Sequence, residues 1–228
     1  VNQDQTTRTE QYQRQADFLP EKLREIGITI IGTGSVGSFT TLGLAKMGFR
    51  HLKVFDADRV ELHNISNQFF RLRDIGKEKV VALSEMIAEM EEIKIDAQKT
   101  MYGSQPVLPG IVISAVDSFE ARRKIWASLK LKPAVDLYID TRMGMLGSQV
   151  FTVHPRKPDE VEQYERSLVY QDQDDDDPCT ARAILFTIFW IAAVAGRLVT
   201  AHVREEEVPR ELFMDIGRME ITKVKEAT

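Results

Sequence analysis

An α/β fold with a mostly parallel sheet is predicted by this sequence, and three observations carry the prediction. Short apolar, β-branched runs recur at residues 28–31, 52–55 and 111–116, separated by stretches of helical periodicity. The first run leads directly into Gly32, Gly34 and Gly37, a Gly-x-Gly-x-x-Gly turn between strand and helix. The second run ends in Asp56, about twenty residues beyond those glycines, the spacing of a nucleotide-binding βαβ unit. Together they specify a Rossmann-like, doubly wound sheet with helices on both faces. Two apolar runs near the end of the chain, separated by a glycine-bearing turn, add a C-terminal antiparallel extension.

The elements follow in order. Residues 1–9 are polar, and the segment from Glu10 reads as a short helical or turn stretch interrupted before Pro20. Arg14 within it, taken alone, is a solvated surface arginine. Gly32 permits the tight turn, Gly34 lets backbone N–H groups approach a phosphate, and Gly37 lets the helix over 38–47 pack closely. Gly48 stops that helix, and Asp56 is placed to accept from a ribose hydroxyl. The loop that follows gathers Asn64, Asn67, Gln68, Arg71, Arg73, Lys77 and Lys79, amides and cations suited to a polyphosphate. Helical periodicity resumes near Lys79, with Val80, Leu83, Ile87 and Met90 on one face. A strand is predicted over 93–97, then a proline-bearing loop, then the buried strand that ends at Asp117. That carboxylate should face the same crevice as the glycines, either as a Mg²⁺ ligand or as the N-cap of a helix over 119–129.

Strands are expected at 134–140 and 149–154, followed by a flexible acidic loop over 161–178 that ends in four consecutive aspartates. Cys179 comes next, ahead of an apolar helix over 181–203, and the tail reads as a last strand or helix. Cys179 is either a reactive thiol or a small buried filler.

Composition narrows the function classes. The 228 residues are 43% hydrophobic and 29% charged with a formal charge of -5, which suits one α/β domain and gives no basic footprint for nucleic acid. One cysteine permits no intrachain disulfide, which fits a reducing compartment, with cytoplasm the default. The apolar stretch at 183–196 is short for a bilayer and reads as a buried helix, so no membrane association is expected. The four histidines, His51, His63, His154 and His202, are scattered and form no dyad or triad.

The ordered set Tyr12-x-Arg14-Gln15, Gly32/Gly34/Gly37, Asp56-x-Asp58-x-Val60, Asn64 with Gln68, Gly76-x-x-Lys79-Val80, Asp117 with Arg122, and a cysteine before an apolar helix resembles the ThiF/MoeB/HesA family of ubiquitin-activating-enzyme-like adenylyltransferases. The resemblance runs from Tyr12 to about Val203. It implies ATP as substrate, with the ribose on Asp56, Gly32, Gly34, Gly37 and Asp58 around the nucleotide, and phosphates near Arg14, Asn64, Gln68 and Lys79. It also implies Mg²⁺ at Asp117 and a homodimer in which each site borrows Arg14 from the other protomer. The implied reaction is attack by the C-terminal carboxylate of a ubiquitin-like or sulfur-carrier-type small protein on the α-phosphate of ATP. Arg14, Lys79 and Asp117 would act in that step, with Cys179 the candidate for a later covalent one. Two departures stand out: Asn67 occupies a position where most relatives carry arginine, leaving Arg71 or Arg73 as replacements, and the Cys-x-x-Cys zinc site of many members is missing, so no structural zinc is expected. An NAD-dependent Rossmann oxidoreductase and a catalytically idle nucleotide-binding scaffold are the competing readings.

Overall fold

A computed structural model describes residues 10–170 and 184–223. The strands are β1 (Gly27–Ile31), β2 (Leu52–Phe55), β3 (Asp96–Gln98), β4 (Gly110–Ser114), β5 (Val135–Met143), β6 (Gly147–Val153), β7 (Glu211–Asp215) and β8 (Glu220–Lys223). All of them join one sheet in the order β3-β2-β1-β4-β5-β6-β7-β8. The first five in sequence pair in parallel, while β6, β7 and β8 return antiparallel. The doubly wound sheet and its antiparallel extension are therefore both present. β1 and β4 are buried on both sides and mostly apolar because parallel central strands are covered on both faces.

Among the described residues five α-helices provide the cover: α1 (Ser35–Lys46), α2 (Lys79–Glu91), α3 (Phe119–Leu129), α4 (Pro158–Tyr170) and α5 (Leu185–Val203). Leu44 of α1, Leu83 and Ile87 of α2, and Ile191 and Val199 of α5 pack with Ile28, Ile30 and Ile113 on one face. Trp126 of α3 and Tyr164 of α4 pack with Val112 and Tyr138 on the other. By length and composition α5 is apolar enough to cross a membrane, yet about half of it is buried inside the fold. Its apolarity serves the core.

Three expectations need correction. The acidic loop predicted over 161–178 is helical through its first part, since α4 extends to Tyr170. Charge masked the helical spacing of Val161, Tyr164 and Leu168, of which Tyr164 and Leu168 are buried. The aspartate run and Cys179 lie outside the described residues. The third strand begins at Asp96, after the buried Ile93 and Ile95, where it meets β2 at the sheet edge and Asp96 pairs with Lys53 at 3.2 Å. The tail is neither a lone strand nor a helix but the hairpin β7–β8.

Around β1 the chain packs as tightly as backbone allows. A β-carbon at Gly37 would lie 1.9 Å from the Gly32 carbonyl oxygen, and Gly32 itself turns at φ +89° with Ala115 O 2.7 Å from where its side chain would start. Any side chain at 37 must push α1 away from the sheet. Gly37→Ala is expected to cost about 3 kcal/mol of overpacking strain, read as a fall in the urea unfolding midpoint. An unchanged midpoint would contradict this packing.

Candidate functional site

A cleft of about 990 Å³ opens at the carboxyl ends of the parallel strands. It sits where the chain, having built β2 and β3 on one side of β1, crosses to place β4 on the other, so the loops diverge and leave a crevice. Gly32, Gly34, Asp56, Asp58, Asn64, Gln68, Lys79 and Asp117 all line it. Residues up to 85 positions apart in sequence are thus brought together by strand order.

Asp56 organises the near wall. Its Oδ2 accepts from the Thr33 backbone N–H at 2.7 Å and the Thr33 hydroxyl at 3.0 Å, while its Oδ1 accepts from the Asp58 N–H at 2.9 Å. One carboxylate thereby fixes both the glycine turn and the loop after β2. No side chain among the described residues caps α1, so the N–H groups of its first turn are open to an anion in the cleft. Gly34 opens the approach: the nearest atom to a β-carbon built there is Gln68 Nε2, at 3.9 Å. A side chain at 34 would fill the cradle without touching the fold.

The loop after β2 is pinned to the start of α2. The Lys79 backbone N–H donates to the Asp58 carbonyl, and Lys79 Nζ donates to Asp58 Oδ2, both at 2.9 Å. Lys79 is 7% exposed, whereas Asp58 points into the open cleft. Asn64 Oδ1 accepts from the Glu61 N–H at 2.9 Å, closing a short helical turn and leaving the carboxamide nitrogen without a partner among the described residues. The side-chain oxygens of Asn67 and Gln68 are buried in the cleft wall with no hydrogen-bond partner among the described residues. Such atoms are costly unless a ligand or water satisfies them.

On the opposite wall Asp117 is exposed, with no partner among the described residues. The helix-capping alternative falls to its neighbour: Ser118 Oγ accepts from the Ala121 N–H at 3.2 Å and caps α3. Gly37 lies behind the cleft, where it serves packing. Arg71 and Arg73 do not replace the cation missing at 67. Arg71 binds Asp74 at 2.8 Å and Glu89 at 2.6 Å, Arg73 binds Glu89 at 3.2 Å, and neither lines the cleft.

Arg14 is at the wrong end of its own chain. Its segment is tied down by Gln15 Nε2 donating to the Lys46 carbonyl at 3.1 Å and by the Tyr12 hydroxyl donating to Glu91 at 3.3 Å, at the far ends of α1 and α2. The 12-residue α1 separates that end from the glycine turn by about 18 Å.

The sequence reading missed a buried charge cluster beside the cleft. Arg122 pairs with Asp140 rather than with Asp117, and also donates to the Thr141 and Val116 carbonyls. Arg142 Nε donates to the same carboxylate at 2.8 Å, as does the Tyr164 hydroxyl at 3.0 Å. Burial works against the Arg122 charge, but Asp140 outweighs it and the guanidinium pKa is raised; burial beside Asp140 likewise raises that of Tyr164, keeping its hydroxyl a donor. The available signal was Tyr138-x-Asp140-x-Arg142, polar groups on one face of a strand otherwise made for a core.

The model of the ThiF family matches residues 9–226. Ubiquitin-like modifier-activating enzyme 5 of Drosophila willistoni is 31% identical over 126 residues, 47% of this chain and 31% of its own length. The NEDD8-activating enzyme E1 catalytic subunit of Arabidopsis thaliana is 34% identical over 110 residues, 44% of this chain and 23% of its own. The chain thus spans a third or less of these curated relatives. Among solved structures, PaaA superposes with a TM-score of 0.73 at 20% identity, covering 97% of this chain and 83% of its own. E. coli MccB, in a structure with MccA, gives 0.72 at 15% identity, covering 93% and 70%.

The charge cluster generates a prediction of its own. Asp140→Ala leaves two buried guanidinium groups without their shared anion and should destabilise the protein by about 3–5 kcal/mol, measured by urea unfolding. A loss below about 1 kcal/mol would mean that the carbonyl oxygens alone hold the arginines.

Proposed function

Because the chain belongs to the ThiF family, we propose that it binds ATP in this cleft and activates the C-terminal carboxylate of a small protein or peptide as an acyl-adenylate. The observation that carries the reading is the convergence of the Asp56-anchored glycine turn, the amides of Asn64 and Gln68, Lys79 and Asp117 on one crevice. The names of the relatives point the same way, as modifier-activating enzymes, and E. coli MccB has been solved both with ATP and with MccA.

In this reading the acceptor carboxylate oxygen forms a bond to the α-phosphorus, the bond from that phosphorus to the α,β-bridging oxygen breaks, and pyrophosphate leaves. No proton has to be removed from the ionised carboxylate, so the protein's work is positioning and charge neutralisation. Asp56 keeps the glycine turn open and accepts from the ribose. The uncapped start of α1 and the amides of Asn64 and Gln68 meet phosphate oxygens, and Lys79, held in aim by Asp58, neutralises charge on the chain being displaced. Asp117, an exposed carboxylate, would hold Mg²⁺, which would supply charge neutralisation to the leaving pyrophosphate. Cys179 remains the candidate for a covalent step after adenylation.

The proposal includes a homodimer. Arg14 is about 18 Å from its own cleft, so it contributes to catalysis only in a neighbouring protomer's site. A hollow between α1 and α5, lined by Phe18, Phe39 and Met47 and flanked by the half-exposed Phe186 and Phe189, offers an apolar surface for that contact.

Asp117→Ala is expected to abolish Mg²⁺-dependent pyrophosphate exchange with the fold unchanged; a wild-type exchange rate would remove Asp117 from the site. Lys79→Ala loses a charge-assisted contact of about 1.5–3 kcal/mol, seen as a tenfold or greater fall in exchange. Mixing an Arg14→Ala chain with an Asp117→Ala chain should restore part of the lost activity, because one of the two mixed sites then holds both intact residues. A monomeric mass in light scattering, with no complementation, would eliminate the shared site. Exchange absent from the wild type with every acceptor tried would leave the idle-scaffold reading, which Asn67 motivates.

A further inference from the structure

The cleft has a second arm that the nucleotide does not explain. β5 continues past its last pairing with β4, at Ser114↔Asp140, and runs on with β6 alone as far as Met143↔Ser148. This overhang, with β7 beside it, forms one wall. Cross-strand register sets Arg142 opposite Gln149 and Gln149 opposite Phe213, a row on a single face of the sheet leading from the cleft toward its outer edge. Phe213 lines the cleft while 41% exposed, and a β-carbon at Gly147 would lie 3.8 Å from its ring, so the ring rests on the turn with its outer side uncovered.

Charge divides the two arms. Asp56, Asp58, Glu61, Asp117 and Glu120 line the nucleotide end, whereas none of the cleft-lining residues on β5, β6 and β7 is acidic and Arg142 is among them. An anionic chain terminus entering along the overhang meets no acidic lining residue, and the charged group there, Arg142, is already paired with Asp140. A volume of about 990 Å³ stands at the top of the range for single-ligand pockets, about 300–1,000 Å³, which leaves room for a second reactant.

We infer that Phe213 is a specificity-determining residue for the acceptor, selecting a carboxyl terminus with an apolar side chain about three residues before its end. The distance follows from the row: Arg142 and Phe213 are two strand spacings apart, about 10 Å, and an extended peptide covers that in about three residues. The terminal carboxylate lies toward the α-phosphate at the β5 side of the cleft, and the apolar side chain covers the open side of the Phe213 ring. This inference rests on the adenylation reading above and adds the chemistry of the acceptor to it.

The test uses the full chain and synthetic hexapeptides ending in Gly-Gly, with the third or fourth residue from the carboxyl end set to Leu, Ser, Lys or Asp. Pyrophosphate exchange is measured with each. At one of the two positions Leu is expected to exceed Asp by about tenfold in kcat/KM. Phe213→Ala should flatten that preference through KM, with ATP affinity by calorimetry and the thermal midpoint unchanged, and Phe213→Leu should restore most of it. A preference absent from the wild type, or unaltered in Phe213→Ala, overturns the assignment and leaves adenylation standing. Silence toward every peptide in a chain that binds ATP overturns the acceptor lane altogether, whereas failure to bind ATP overturns the underlying reading.

Discussion

The Asp140 carboxylate, fully buried where the sheet changes from parallel to antiparallel, is the interaction on which both halves of this molecule depend. Arg122 reaches it from α3, Arg142 from β5 itself and Tyr164 from α4. Arg122 also holds the carbonyls of Val116 and Thr141, tying the loop after β4 to the strand beside it. A buried ion pair of this kind contributes little net stability over a well-packed apolar substitute. What it contributes here is geometry. Phe151 stacks under Arg142 at 4.1 Å, so the guanidinium has one orientation, and the overhanging end of β5 is held at the edge of the cleft.

A second constraint acts on the nucleotide side. Reversal of strand order around β1 opens a crevice in any doubly wound sheet, but an open crevice is not yet a binding site. Asp56 closes that gap by spending one carboxylate on three donors from two loops. The glycine turn and the loop carrying Asp58 are then parts of one rigid wall. Asn64 extends the same logic, with its oxygen committed to the backbone and its nitrogen turned outward. The atoms left unsatisfied, the buried oxygens of Asn67 and Gln68, mark where the wall still needs a partner.

Among the described residues the site is short of cations. Of the basic residues lining it, Arg122 and Arg142 are occupied with Asp140, Lys124 with Glu120 and Arg59 with Glu78. Lys79 alone combines near-complete burial with a partner, Asp58, that is itself solvent-exposed. A polyanion bound here would draw on backbone dipoles and one lysine, which is the physical reason the distant Arg14 matters to the proposed chemistry. An arginine on a segment anchored to the opposite ends of α1 and α2 lies away from the cleft of its own chain, and the proposed dimer is what would bring it to a site.

Local chemistry made much of this legible in the amino-acid sequence. Gly32 and Gly37 announce a close backbone approach because a side chain at either would strike backbone, Gly34 leaves the cradle open, and Asp56 follows at a spacing that one helix and one strand dictate. The order of apolar runs was enough for a parallel sheet with an antiparallel end. Tertiary structure decided the rest. Which arginine meets which carboxylate depends on distances between strands and helices far apart in the chain, so Arg122 was free on paper to pair with Asp117 and in space pairs with Asp140. The capping role passed from Asp117 to Ser118 for a similar reason, one of local backbone direction. Charge hid α4, because the burial of Tyr164 and Leu168 is a property of the neighbours they meet. The row from Arg142 to Phe213 exists only through register, and a register of three strands is fixed by pairing across the sheet, which no single stretch of sequence contains.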